Sequence, residues 1–343
     1  MTDNSSLEAR VPPAGQPQTA GHFTYRLREA NDGTSIARLW GAETAWGAPQ
    51  PDLIQWFNAN PCAGSFIVVA VDHDGQVVGQ VVMMATRVSV NGRDVPAIHA
   101  FAPIVSRAAR QSVLVPDPRH HPIAEMFAYA VQEARTRAFA LIYSMPSARW
   151  IGFFQRLPHL RYTQFPLWSV PLPFSGMLPI EKGFAVSRLV RFDERVDRLW
   201  HAAAGLSGCL GVRDARMLKW KLGTPYYEVA AVEHDGELVG LVAAQEKDGQ
   251  WSIGDLLAAD RGASLRATLA AGCNLGQAHA LLPNRKTPLR KVALLTTPAI
   301  EPFAAQLGFA RDAYDYLLLV LVLDPSMAVE DVAPERWYVS DNE

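Results

Sequence analysis

VDHDGQVVG, Val71 to Gly79, decides how the chain is read, because VEHDGELVG follows from Val232 to Gly240, about 160 residues downstream. Asp-Gly between Val-rich runs predicts a β-hairpin: Gly75 and Gly236 supply the positive φ of a tight turn, and branched residues suit paired strands. The flanks repeat in the same order. Arg38-Leu39-Trp40 returns as Arg198-Leu199-Trp200, and Trp56 with Pro61 returns as Trp220 with Pro225 at the same internal spacing. A unit of this length is no solenoid repeat, so the pattern predicts two copies of one domain.

Working outward, each copy shows the same succession: strand, helices, antiparallel meander, helix, strand, helix, strand. In the first copy the strand is Phe23 to Arg28, and the helices carry Ile36, Leu39, Trp40 and then Leu53 to Phe57. The meander spans Ser65 to Val105, with a second turn at Asn91-Gly92. Apolar steps of three and four predict a helix from Ile123 to Ala138, and FALIYSM, Phe139 to Met145, predicts a buried strand. A helix over Trp150 to Leu157 and a proline-punctuated segment from Phe165 to Pro179 end the copy. The second copy has its third strand at Trp251 to Leu257, a long helix at Leu265 to Leu281, a buried strand at Lys291 to Thr296, a helix at Ile300 to Leu307, and Tyr316 to Leu323 closing the sheet. The expected organisation is a disordered tail over 1–22, domains over 23–180 and 181–324, and a tail over 325–343 with Trp337 and Tyr338 exposed.

Composition narrows the function classes. The 343 residues carry 32 basic and 34 acidic side chains, a near balance that argues against nucleic acid and anionic membrane as partners. Cys62, Cys209 and Cys273 are odd in number and far apart, which fits a reducing, cytoplasmic setting and matches no metal-ligand spacing. No signal-peptide pattern or apolar run of membrane-spanning length occurs; LLLVLVL, Leu317 to Leu323, is strand-sized.

The element order resembles the GCN5-related N-acetyltransferase (GNAT) family, an α/β fold with a mixed sheet. FFQRLPHLRY at Phe153 and FAAQLGFARD at Phe303, with its Leu307-Gly308-Phe309 turn, are similar to that family's aromatic helix and turn. The resemblance covers residues 23 to 324 and implies a tandem, bacterial-type protein using acetyl-CoA or another acyl-CoA. It also implies a splayed strand meeting a helix whose N-terminal N–H groups and dipole hold the cofactor's pyrophosphate. The matching stretch is VPDPRHHPIA, so the implied cofactor contacts are Val113, Val115, Arg119, His120, His121, Ile123 and Ala124, with Pro122 where the family carries glycine. Arg107 and Arg110 form an alternative cationic loop. The second copy's equivalent, with Arg261-Gly262-Ala263, lacks the spacing and reads as a structural pseudo-repeat; Asp255 on its third strand is a polar site candidate, against the commoner role of a strand-end aspartate satisfied by a neighbouring turn.

For amine acylation the resemblance calls for a base and an acid. His99, on the third strand, is the best-placed base, against the commoner role of a core histidine. The family's acid, a tyrosine, is replaced by Phe154 and Ala304, and Tyr143 lies one element earlier. His120 and His121 are adjacent and cannot readily chelate one ion, so no metal is expected. The implied function is N-acylation of an amine on a small molecule or cell-surface precursor. Two alternatives stay open: a non-catalytic GNAT-like protein that binds a ligand or partner, and an aminoacyl-transferase, which the lack of a basic stretch disfavours.

Overall fold

The computed structural model describes residues 15–20, 22–44, 47, 49, 51–112, 121–146, 160–283, 285 and 287–341. The sequence-predicted helix over Trp150 to Leu157 lies outside them. The first copy contains β1 (Gln18–Ala20), β2 (Phe23–Leu27), α1 (Gly33–Glu43), α2 (Pro51–Asn58), β3 (Phe66–Val71), β4 (Val77–Val90), β5 (Arg93–Val105), α3 (Arg107–Ser112), α4 (Pro122–Thr136), β6 (Leu141–Ser144) and β7 (Leu160–Pro171). The second contains β8 (Phe184–Arg188), α5 (Glu194–Ala203), β9 (Cys209–Gly211), α6 (Ala215–Leu222), β10 (Glu228–His234), β11 (Glu237–Lys247), β12 (Gln250–Ala258), α7 (Ala263–Ala280), β13 (Lys291–Leu295), α8 (Glu301–Gln306) and β14 (Ala310–Val322), followed by β15 (Trp337–Tyr338).

The repeated hairpin forms twice, with one chemical difference. Asp235 and Gly236 both take positive φ (+52° and +83°), giving the two-residue turn that Asp-Gly favours. In the first copy Asp72 replaces Glu233. Its shorter carboxylate accepts the N–H groups of Asp74 (3.0 Å) and Gln76 (2.8 Å), widening the turn. The glycines that end the two strings, Gly79 and Gly240, lie where the long helices cross the sheet, against Met126 of α4 and Thr268 of α7. Close approach of a helix is what a strand glycine permits.

Each half of the sheet is covered on both faces. Alternate residues Val68, Ala70, Val81, Met83, Ile98 and Ala100 pack with Ile123, Met126 and Ala130 of α4. Their neighbours Val69, Val71, Val82 and Ile104 pack with Ile36, Leu39 and Trp40 of α1. That is the period-2 division expected of a strand buried on both sides.

The copies are joined by an exchange of strands. The sheet order runs β1-β2-β3-β4-β5-β6-β14-β7-β13-β12-β11-β10-β8. β14, the last long strand of the second copy, lies against β6 of the first, and β7, the last of the first copy, lies against β13 of the second. The two exchanged strands pair with each other at the centre. Trp56 and Trp220, matched in the sequence repeat, face one another across this junction. Their rings stack at 4.4 Å and 10°, and each indole N–H donates to the other's backbone carbonyl, at 3.2 and 2.8 Å. A contact in which i meets j and j meets i is the signature of two-fold symmetry, here within one chain.

The proline-punctuated segment from Phe165 begins inside β7, which passes through Pro166 and ends at Pro171; the strand facing Pro166 is irregular between Arg311 and Asp315, where a missing ladder donor is tolerated. Three expectations are corrected. Tyr316 to Leu323 does not close the sheet but lies in its middle, which explains why Leu317 to Val320 are buried on both faces. Gln18–Ala20, within the expected N-terminal tail, pairs with β2 and covers its outer edge. Trp337 and Tyr338 are 2% and 8% exposed rather than on the surface, because β15 pairs with β9, which in turn pairs with the far end of β4.

Candidate active site

The site is set by a pair of strands that part company. β5 and β6 run parallel, but only Ala97–His99 pair with Leu141–Tyr143; β6 ends at Ser144 while β5 continues to Val105. An irregularity in the β4–β5 ladder between Gln80 and Val82, with Ala102 at φ +48°, bends β5 away there. The second copy repeats the construction: Trp251–Ile253 pair with Val292–Leu294, and the β11–β12 register slips between Ala243 and Ala244.

His99 is therefore the last β5 residue paired before the opening. Its ring lies flat on Tyr143 (4.9 Å, 7°) and 5.8 Å from Phe101, and it is 7% exposed. Trp337 packs on the other side of Tyr143 at 5.1 Å. The C-terminal segment thus supports the ring that supports His99, a contact across nearly 200 residues that sequence alone does not suggest.

Of the predicted cofactor contacts, Val113, Val115, Arg119 and His120 lie outside the described residues. His121, Ile123 and Ala124 stand together at the start of α4. His121 is the N-cap in extended conformation, and its Nδ1 accepts the N–H of Ile123 at 3.2 Å. An imidazole that accepts through Nδ1 is neutral at that nitrogen, and burial, helped by the Arg110 guanidinium, holds His121 below the ordinary histidine value. Ala124 and Glu125 donate to the His121 carbonyl, and Pro122 has no N–H to give. One donor, that of Ile123, is therefore released if the imidazole swings aside. Ile123 itself is fully buried and Ala124 nearly so, which makes their contribution to an anion one of backbone rather than side chain.

In the alternative loop one guanidinium is engaged, and Arg107 contributes its backbone. Arg110 pairs with Glu43 at 2.9 Å, and the Arg107 N–H donates to the same carboxylate at 2.8 Å. Among the described residues no group of three or more His, Cys, Asp or Glu side chains could hold a metal ion, and no helix is long and apolar enough to cross a membrane.

The second copy presents the same helix end differently. The Asp260 carboxylate accepts the N–H groups of Gly262 (2.6 Å) and Ser264 (3.3 Å), and the Ser264 hydroxyl. Burial pushes this acid up, but these hydrogen bonds outweigh it and hold Asp260 below the usual carboxylate range. Asp255 is not a free site residue: its Oδ1 accepts Arg213 Nε at 2.8 Å, both side chains being 1% exposed. Arg213 also donates to the Gly211 carbonyl and the Ser340 hydroxyl, and lies 4.9 Å from the Tyr338 ring. Tyr338 donates to the Leu256 carbonyl at 2.7 Å. The chain's own C-terminal segment thus lines the opening beside β12, where Tyr338 stands with Asp260 and Leu265.

Solved structures share this architecture. A conserved protein of Enterococcus faecalis, described as a probable N-acyltransferase, superposes with a TM-score of 0.64 at 11% identity, over 88% of this chain and 72% of that one. A GCN5-related N-acetyltransferase of Kribbella flavida gives 0.60 at 14% identity, over 88% and 72%. The fold is GNAT, twice over. N-myristoyltransferase of Saccharomyces cerevisiae, in a structure with bound myristoyl-CoA and inhibitors, gives a TM-score of 0.61 at 11% identity, over 94% of this chain and 84% of that one. No protein-family model matches the sequence, and no curated protein matches it. At such identities the likeness carries the GNAT architecture and leaves the chemistry to the residues.

Proposed function

We propose that this protein is an acyl-CoA-dependent N-acyltransferase that binds its acyl-CoA, acetyl-CoA or a longer one, in the first copy. The observation that carries the reading is the contrast between the helix ends: α4 is capped by a displaceable neutral imidazole, whereas α7 is already occupied by its own carboxylate. An anionic pyrophosphate gains from the N-terminal dipole and the released Ile123 N–H at α4. At α7 it meets Asp260.

Acyl-CoA supplies a thioester carbonyl, and the amine nitrogen attacks it, forming the C–N bond as the C–S bond breaks. His99, at the parting of β5 and β6, takes the proton of the attacking amine, and that proton is returned to the departing sulfur. Tyr143 holds the His99 ring by stacking rather than by donating a proton. Positioning carries the rest of the acceleration.

Calorimetric titration with acetyl-CoA and longer acyl-CoAs tests the reading. One site per chain is expected, weakened in Arg119→Ala. Absence of binding to any acyl-CoA sinks it. The competing reading, a ligand-binding protein without turnover, draws on the burial of Ala304 where the family's tyrosine is expected. Release of free thiol from a bound acyl-CoA in the presence of amines decides between the two.

A further inference from the structure

Gln80 is the residue the fold does not need. It follows Gly79 on β4, and the residue that follows the matching Gly240 on β11 is Leu241, fully buried. Gln80 is equally buried, 1% exposed, yet its side-chain Oε1 accepts no hydrogen bond among the described residues. A buried carbonyl without a donor costs stability, and the second copy shows that leucine fits the same place. Gln80 faces a cavity of about 110 Å³ on the α1–α2 side of the sheet. Trp40, Phe57, Val82 and Phe101 wall it, and Leu53 and Ile54 stand at its rim, 37% and 47% exposed.

The rim also carries a cation. Arg28 lines the cavity and makes no ion pair among the described residues. The neighbouring acid, Asp32, is already held by the two-pronged Arg26 guanidinium at 2.7 and 2.9 Å. The cavity therefore offers three complementary features: an acceptor at its buried wall, an aromatic body, and a positive charge at its mouth. At about 110 Å³ it is smaller than the roughly 150 Å³ that holds benzene, so it encloses part of a ring or a branched-aliphatic group while the rest stands at the mouth.

We propose that this cavity binds a small aromatic or branched-aliphatic amine that carries a carboxylate. The nitrogen donates to Gln80, the apolar group lies among Trp40, Phe57 and Phe101, and the carboxylate pairs with Arg28. Binding stands independently; the role as acyl acceptor rests on the function proposed above. Phe101, which walls the cavity, lies 5.8 Å from the His99 ring between centroids. Transfer needs no further reactant: the nitrogen forms the amide bond, the thioester C–S bond breaks, and the amine proton ends on the CoA sulfur.

The test uses three probes on the full chain: L-phenylalanine, phenethylamine (no carboxylate) and 3-phenylpropionate (no amine). L-Phenylalanine is expected to bind about tenfold tighter than either truncated probe, the worth of one charge-assisted contact. Arg28→Ala should erase the advantage over phenethylamine alone, and Gln80→Leu the advantage over 3-phenylpropionate alone. Gln80→Leu should also raise Tm, an effect opposite to that of a damaged fold. Ala37→Phe, which fills the cavity from α1, should abolish binding of all three with Tm retained. Absence of saturable binding at millimolar L-phenylalanine overturns the proposal, as does binding that Ala37→Phe or Gln80→Leu leaves unchanged. Binding of L-phenylalanine without binding of any acyl-CoA would overturn the acyltransferase reading and keep the cavity.

Discussion

The N-termini of α4 and α7 occupy the same place in the two copies and have opposite chemistry. Both follow the bent third strand and both aim a helix dipole at the opening beside it. At α7 a carboxylate two residues ahead of the N-cap satisfies Gly262 and Ser264 and places a permanent negative charge where an anion would sit. At α4 a histidine kept neutral by burial satisfies Ile123 and adds no charge. Duplication supplies two equivalent helix ends. One is capped by the hydrogen bonds of its own carboxylate, and Tyr338 lines the opening beside it. The lesson is that an N-terminal anion site is switched off most economically by an acid in the preceding loop, and that a neutral cap leaves it open.

Making the first copy like the second is the sharpest way to break the contrast. His121→Asp keeps an N-cap acceptor, so the helix should be as stable as before or more so. The new carboxylate would repel pyrophosphate directly. Acyl-CoA affinity measured by calorimetry should fall about a hundredfold or more, the cost of a close like-charge contact in a partly buried site. Asp260→Asn in the second copy should not create a second binding site, because the asparagine side-chain oxygen still caps the Gly262 and Ser264 N–H groups. An unchanged affinity in His121→Asp would place the anion elsewhere.

The repeated glycines allow a second comparison, of stability. At Gly240 an added Cβ would fall on the Thr268 hydroxyl and 3.2 Å from its Cβ; that hydroxyl already donates to the Ser264 carbonyl at 2.7 Å. At Gly79 the nearest atom would be Met126 Cε at 3.1 Å, the end of a flexible side chain, with Ala70 Cβ at 3.3 Å. Gly240→Ala should therefore cost about 2–3 kcal/mol by chemical denaturation, the range of an overpacked core. Gly79→Ala should cost about 1 kcal/mol or less, because methionine repacks. Equal costs would mean that the two helices do not differ in how closely they approach.

The same pair of glycines shows what was legible in the sequence. Hairpins, long helices and the duplication are local or periodic features, and the repeated VxHDGxxVG string located them. Strand exchange was not legible. LLLVLVL has the same pattern whether it pairs with β13 of its own copy or with β6 of the other, since an apolar run specifies burial and not partner. The strand through Pro166 was not legible either, because the irregularity that tolerates this proline is on β14, far along the chain. The burial of Trp337 depends on β9, likewise remote. At the site, His99 was singled out from its place on the third strand and His121 from the family pattern it matches; they stand at the end of the β5–β6 pairing and at the start of α4. Gln80 was missed, although a glutamine amid VVGQVVMM is a polar interruption of an apolar strand, and the aligned Leu241 marks it as a departure. His121 as an N-cap was also missed, since histidine is not among the residues ordinarily read as caps.

The smallest expected effect is a dependence on pH that only the first copy should show. Burial, helped by Arg110, holds His121 below its ordinary value of 6.5, so the unfolded chain binds this proton more tightly than the folded one. Its contribution to stability is therefore present above about pH 6.5 and is lost as pH falls through the depressed folded value. Protonation at Nδ1 also ends the hydrogen bond from Ile123, freeing that N–H and placing a cation at the helix end. Arg110, itself paired with Glu43, and Glu125 in the first turn of α4 are charged groups nearby. Acyl-CoA affinity should thus rise a few-fold as pH falls below about 6.5 while Tm declines, because a phosphate favours the open, charged helix end. The opposed slopes should both disappear in His121→Asn, which caps the helix without titrating. If affinity and Tm fell together in the wild type, or if His121→Asn kept the wild-type slopes, the pH dependence would belong to another group, and the neutral cap would not be what separates α4 from α7.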